Sequence, residues 1–174
     1  PVSLPALSGE PPTTDSEPFN LGLSHGNPGA IALLALIARR GIATQAATRA
    51  VEDAVEWLAM QRLDRTQTGC FADFSGPDIE LKPARLAWCY GDAGVAAALL
   101  VAARALKRHA WEEMAIEIAR VAAQRSLEDS RVVDGGLCHG AAGLTQIFMR
   151  LHHATREPAF AEAARVLRPG GHLL

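Results

Sequence analysis

"CYGDAGVAAALLVAARALKR", residues 89–108, is the stretch whose reading decides the fold. From Gly94 to Ala103 it carries no charge, and its apolar residues fill every side of a helical turn rather than one stripe. A helix of that kind is buried on most sides. A Gly-x-x-G pair, Gly91 and Gly94, stands at its start, with the thiol of Cys89 two residues ahead of the first glycine. The same arrangement recurs on either side. "SHGNPG" (24–29) leads into "GAIALLALIARR" (29–40), and "CHGAAG" (138–143) leads into "GLTQIFMRLHHA" (143–154).

Each apolar segment is followed by a one-sided partner. In 44–62 the apolar positions Ala47, Val51, Ala54, Val55 and Leu58 fall at helical spacing, opposite Arg49, Glu52, Asp53 and Glu56, with Thr44 placed as N-cap. In 110–127 the stripe is Trp111, Met114, Ala115, Ile118 and Val121 or Ala122. In 158–168 it is Phe160, Ala163, Ala164 and Leu167, behind Pro158 at the helix start. A buried helix followed by an amphipathic one, about three times over, predicts an all-α fold. It is a partial α/α toroid, with apolar helices inside and amphipathic helices outside. A four-helix bundle is the competitor, but its helices are all one-sided.

The first glycines fall at 26, 91 and 140, so the first interval is the longer. The excess is "DRTQTGCFADFSGPDIELKPA" (64–84), rich in turn residues and expected to hold a short strand pair. Residues 1–20, with five prolines, read as an irregular lead-in, and 21–174 as the partial barrel domain. The chain does not begin with Met and stops one turn beyond a helical pattern, which suggests a fragment.

Composition narrows the function. A net charge of −2 gives no electrostatic case for nucleic acid or an anionic membrane. No apolar run approaches the roughly 18–20 residues that span a bilayer. The N-terminus lacks the layout of a secretory signal, and three distant cysteines do not make a disulfide scaffold. A reducing, cytoplasmic setting is expected.

Shared register places the three Gly-bracketed motifs on one rim, where Cys89, Cys138 and His139 converge. Two soft sulfurs and one imidazole suit zinc among the common ions. Three protein ligands is the catalytic number, leaving a position open. The competing reading is that Cys89 and Cys138 are small buried hydrophobes.

The motifs "LGLSHGNPG" (21–29), "RLAWCYGDAG" (85–94) and "GLCHGAAG" (136–143) resemble the signatures of the lanthionine synthetase C-like family, the lanthipeptide cyclases. They occur in family order, and the likeness runs from about residue 21 to 168. The Trp88-Cys89-Tyr90-Gly91 wording is more similar to the stand-alone cyclases than to the cyclase domains of bifunctional synthetases. The resemblance implies a toroid with a central zinc held by Cys89, Cys138 and His139. It implies Michael addition of a peptide Cys thiolate to dehydroalanine or dehydrobutyrine, giving a thioether ring.

By the same resemblance His25 stands where the family carries a histidine proposed for proton transfer, and Arg85 matches a motif arginine. Their plain alternatives are a loop histidine capping a helix and a rim arginine paired with Asp92. Asp92 itself reads as a first-turn acid favoured by the helix dipole. Cys70, His109, His152, His153 and His172 lie outside the motifs and are expected to be incidental, solvated or packed. The implied partners are a dehydrated precursor peptide, a lanthipeptide dehydratase and an exporter.

Family members carry more helix pairs than the three read here, so this fragment alone is expected to be inactive and to self-associate. Two rivals remain. An α/α-barrel glycosidase or terpene cyclase needs acidic residues at the rim, where this chain has Cys and His. Eukaryotic relatives in the family bind glutathione through zinc, which makes a thiol-binding protein without cyclase activity the alternative function.

Overall fold

The computed structural model describes residues 18–64 and 68–167. Helices α1 (Asn27–Arg39), α2 (Thr44–Met60), α3 (Asp92–Leu106), α4 (His109–Gln124), α5 (Leu127–Ser130), α6 (Ala141–Thr155) and α7 (Pro158–Val166) follow in order. Two short strands, β1 (Phe19–Asn20) and β2 (Phe74–Ser75), pair antiparallel with Phe19 opposite Ser75.

The apolar helices α1, α3 and α6 lie side by side with α3 in the middle, and α2, α4 and α7 back them. The loops between partners are a few residues long, and at the α3–α4 and α6–α7 turns Lys107 and Arg156 take left-handed backbone at the helix end. The outer stripes match the periodicity. Ala47, Val51, Val55 and Leu58 are buried on α2, Ala115, Ile118, Ala119 and Ala122 on α4, and Phe160 and Ala164 on α7. Phe148 of α6 stacks on Phe160 of α7 at a ring separation of 6.4 Å.

The inner layer departs from expectation in one respect. Only α3 is buried on most sides, because it alone has an inner helix on both flanks. On α1 the buried residues are Pro28, Ile31, Ala35 and Ala38, while Leu33 and Leu36 are exposed. On α6 burial is confined to Gly143, Leu144, Ile147, Phe148 and Leu151.

Three local expectations are corrected. Thr44 is the first helical residue of α2 rather than its cap: Ala43 stands at the cap with left-handed backbone, and the Thr44 hydroxyl donates to the Ala38 carbonyl at 3.5 Å. The strand pair is not internal to the insert. β2 is the insert's one strand among the described residues, and its partner is β1 ahead of α1. Asp92 is more than a dipole partner. It is fully buried, accepts the backbone N–H groups of Cys70 and Phe71 at 3.0–3.1 Å, and faces Arg125 at 3.7 Å rather than Arg85. Arg125 in turn donates to the Ala84 carbonyl at 2.8 Å. The insert is therefore pinned through Cys70 and Phe71 to the start of α3 and through Ala84 to the end of α4.

The Gly-x-x-G motif has one geometry in all three places. Gly26, Gly91 and Gly140 each press against the main-chain carbonyl of the residue six earlier, which is Asn20, Arg85 or Asp134. Gly29, Gly94 and Gly143 do the same with Leu23, Trp88 and Leu137. A Cβ at any of them would overlap backbone. Positive φ, the other reason for glycine, applies only to Gly91 (φ 77).

Two outcomes follow from this packing. Asp92→Ala leaves the buried Arg125 guanidinium without its anion and two N–H groups without an acceptor; a loss of about 3–5 kcal/mol is expected in denaturant melts at pH 7.5. Gly94→Ala is expected to cost about 1–3 kcal/mol by overpacking, whereas Gly135→Ala, with open space around it, should stay within about 0.5 kcal/mol of wild type. Equal stability of the two glycine variants would contradict the close approach.

Candidate metal centre

The three Gly-bracketed loops are joined by their main chains. Ser24 N–H donates to the Cys89 carbonyl at 3.4 Å, and Trp88 and Cys89 N–H both donate to the Cys138 carbonyl at 3.0 and 3.2 Å. The first loop is held against the second from its other side as well. Gly22 packs on the Cys89 carbonyl and the Tyr90 ring, and Asn20 Nδ2 donates to the Tyr90 hydroxyl at 2.8 Å. Motifs far apart in the chain thus meet over the N-terminal ends of α1, α3 and α6.

The structure brings Cys89, Cys138 and His139 together, with one ligand atom of each within 4.8 Å of the others. Cys89 is buried, Cys138 exposed and His139 between the two. Burial pushes the Cys89 thiol above its ordinary value, and the hydrogen bond and charge of the neighbouring Cys138 sulfur push it further; the Arg85 guanidinium opposes them weakly. A cation entering this cluster would displace those protons and gain two thiolates. The residues fit zinc by donor chemistry and leave the exposed side of Cys138 open for a further ligand.

Of the remaining sequence candidates, His25 and Arg85 stand on loops joined to this cluster. His25 is exposed, on the loop whose Ser24 touches the Cys89 main chain. Arg85 is half-buried, within electrostatic reach of Cys89, and makes no ion pair among the described residues. Cys70 stands apart in the insert beside Arg62, and burial, reinforced by the charge of Asp92, pushes its thiol up to about 11, so it stays protonated near neutral pH. His152 contacts the Glu157 carbonyl at 2.8 Å and serves the α6–α7 turn, and His172 lies outside the described residues.

Two features escaped the sequence reading. Asp134 lies 3.4 Å from His139, Oδ2 to Nε2. Its signal was present: it stands six residues before Gly140, as Arg85 does before Gly91. The second is a groove of about 750 Å³ between α3 and α6, lined by Trp88, Val101, Leu137, Cys138, Gln146 and Arg150. It opens beside Cys138, and Trp88 and Leu137 expose large apolar surface to it. No helix among the described residues is long and apolar enough to cross a membrane.

Comparison with known proteins bears on the family and the fold. The chain is 29% identical over 161 residues to the nisin biosynthesis protein NisC of Lactococcus lactis subsp. lactis, an alignment covering 85% of this chain and 37% of that protein. The fold superimposes on the solved structure of nisin cyclase with a TM-score of 0.73 at 25% identity, over 84% of this chain and 38% of the other. The chain therefore spans under two-fifths of the length of these relatives, and its helical layers are part of a toroid-type all-α fold. Residues 5–167 match the family described as lanthionine synthetase C-like protein, and the chain belongs to that family.

Proposed function

We propose that the protein containing this chain is a zinc-dependent lanthipeptide cyclase, closing thioether rings on a dehydrated peptide. The observation that carries the reading is the Cys89–Cys138–His139 cluster, set at the meeting point of the three rim motifs in a chain of this family. Two sulfurs and one nitrogen within 4.8 Å of one another are a donor set for zinc rather than for magnesium or calcium, which take oxygen.

The reaction joins the sulfur of a peptide cysteine to the β-carbon of dehydroalanine or dehydrobutyrine. A free thiol has a pKa of about 8.5 and is mostly protonated at neutral pH. Zinc, held by Cys89, Cys138 and His139, would supply a site that lowers the pKa of that thiol and leaves it a nucleophilic thiolate beside two thiolates of the protein. When the S–Cβ bond forms, the alkene electrons move onto the carbonyl as an enolate. The α-carbon must then take a proton.

His25 is assigned that proton, since an imidazole can accept one and return it near neutral pH. Arg85 is assigned to the enolate oxygen, where a guanidinium stabilises developing negative charge. The groove of about 750 Å³ beside Cys138 has the volume for peptide side chains next to the reacting cysteine, with Trp88 and Leu137 as apolar walls. The acceptor alkene arises by loss of water from Ser or Thr, so a dehydratase acts before this protein. Three free cysteines suit a reducing compartment such as the cytoplasm.

Elemental analysis of the purified full-length protein is expected to give one zinc per chain, lost in Cys138→Ala. Equal zinc in both would remove the assignment. His25→Asn is expected to keep its zinc and to slow ring closure on a dehydrated peptide by about 10²–10⁴-fold. If wild type binds zinc and a thiol yet forms no thioether with such a peptide, the cyclase reading gives way to thiol binding.

A further inference from the structure

Asp134 is exposed and adds nothing to the core, yet its loop is built around it. Its main-chain carbonyl accepts the N–H of Ala141 at 2.9 Å, and its Oδ1 accepts the N–H of Gly136 at 2.6 Å. A side chain at Gly140 would overlap that same Oδ1, so glycine lets the loop close over the carboxylate. Oδ2 is left over, and it is the atom that lies 3.4 Å from His139 Nε2.

The first loop repeats the arrangement. Asn20, at the equivalent place before Gly26, accepts the N–H of Gly22 at 2.8 Å with Oδ1, and its Nδ2 donates to the Tyr90 hydroxyl. In both loops one side-chain atom fastens the turn and the other lies beside a ring of a rim motif.

The side chains of Asp134 and His139 are 39% and 44% exposed, and a pair that open to water contributes little to stability. Its consequence is for the ring. A neutral imidazole carries one N–H, and the nitrogen beside a carboxylate is the one that keeps it. With Nε2 protonated, the lone pair resides on Nδ1.

We propose that Asp134 is a positioning residue of the metal centre: it accepts the Nε2 proton of His139 and so makes Nδ1 the nitrogen offered to zinc beside Cys89 and Cys138. The assignment rests on the zinc reading above and adds to it the tautomer and the residue that sets it. It also accounts for adjacent residues, Cys138 and His139, serving one ion, since a free imidazole could turn away from its neighbour's sulfur.

The test is zinc affinity of the full-length protein, by competition with a chromophoric chelator, in wild type, Asp134→Asn, His139→Ala and the double variant. Asp134→Asn retains an acceptor for Gly136 and loses the charge at His139. It is expected to weaken zinc binding about 10–100-fold and to have no further effect in the His139→Ala background. Unchanged affinity in Asp134→Asn overturns the proposal, and so does an equal loss in both backgrounds, which would mean a loop effect. A wild type without zinc removes the metal reading and this assignment together, whereas zinc-binding wild type with an indifferent Asp134→Asn removes this assignment alone. Should Asp134→Asn fail to fold, ¹⁵N shifts of the His139 ring in the zinc-loaded wild type decide. Nε2–H with metal-bound Nδ1 supports the proposal, and the reverse overturns it.

Discussion

The candidate site depends on main-chain carbonyls packed against glycines. In each rim loop the chain turns back so tightly that the carbonyl six residues earlier occupies the space of an absent Cβ. That compression leaves the carbonyls of Cys89 and Cys138 facing neighbouring loops, where they accept N–H groups from Ser24, Trp88 and Cys89. Three loops then form one hydrogen-bonded layer over the ends of three helices. Side chains that point away from this layer converge, and in two of the loops they include thiols.

The helices beneath supply the rigidity. α3 is buried on most sides and carries α1 and α6 on its flanks, so the spacing of the loops is set by helix packing rather than by the loops themselves. The Asp92–Arg125 contact contributes differently from the surface pairs Arg104–Glu112 and Arg120–Glu157. Its members are 0% and 2% exposed at the side chain, and each is also hydrogen-bonded to backbone, so the pair ties the insert, α3 and α4 into one unit. The surface pairs are open to water, where such contacts are worth about 0–1 kcal/mol.

This division suits the proposed chemistry. A cluster of two thiols and an imidazole needs ligands held in place before a metal arrives, together with one open side. Cys89 lies in the packed layer and is buried, while Cys138 sits at its edge beside the α3–α6 groove. A peptide thiol would therefore approach from the Cys138 side, along a wall that Trp88 and Leu137 make apolar.

The local pattern determined much. Periodicity was enough for the order of the six longer helices and for the stripes of α2, α4 and α7, because a one-sided helix records in its own residues which face is covered; the short α5 left no such record. The recurrence of Gly-x-x-G was enough to put Cys89, Cys138 and His139 in one register, and the tertiary structure sets their ligand atoms within 4.8 Å. Other features depended on which residues the fold carries past one another. That Arg125 rather than Arg85 meets Asp92, and that β2 finds its partner ahead of α1, follows from how the insert is laid across α3. The apolar composition of α1 could not say that Leu33 and Leu36 would be exposed while α3 is enclosed, since a helix apolar on every side does not record how many neighbours it has. Asp134 is the same case at the site: a single carboxylate in a Gly-rich loop acquires its meaning only when the loop closes and sets one oxygen beside His139.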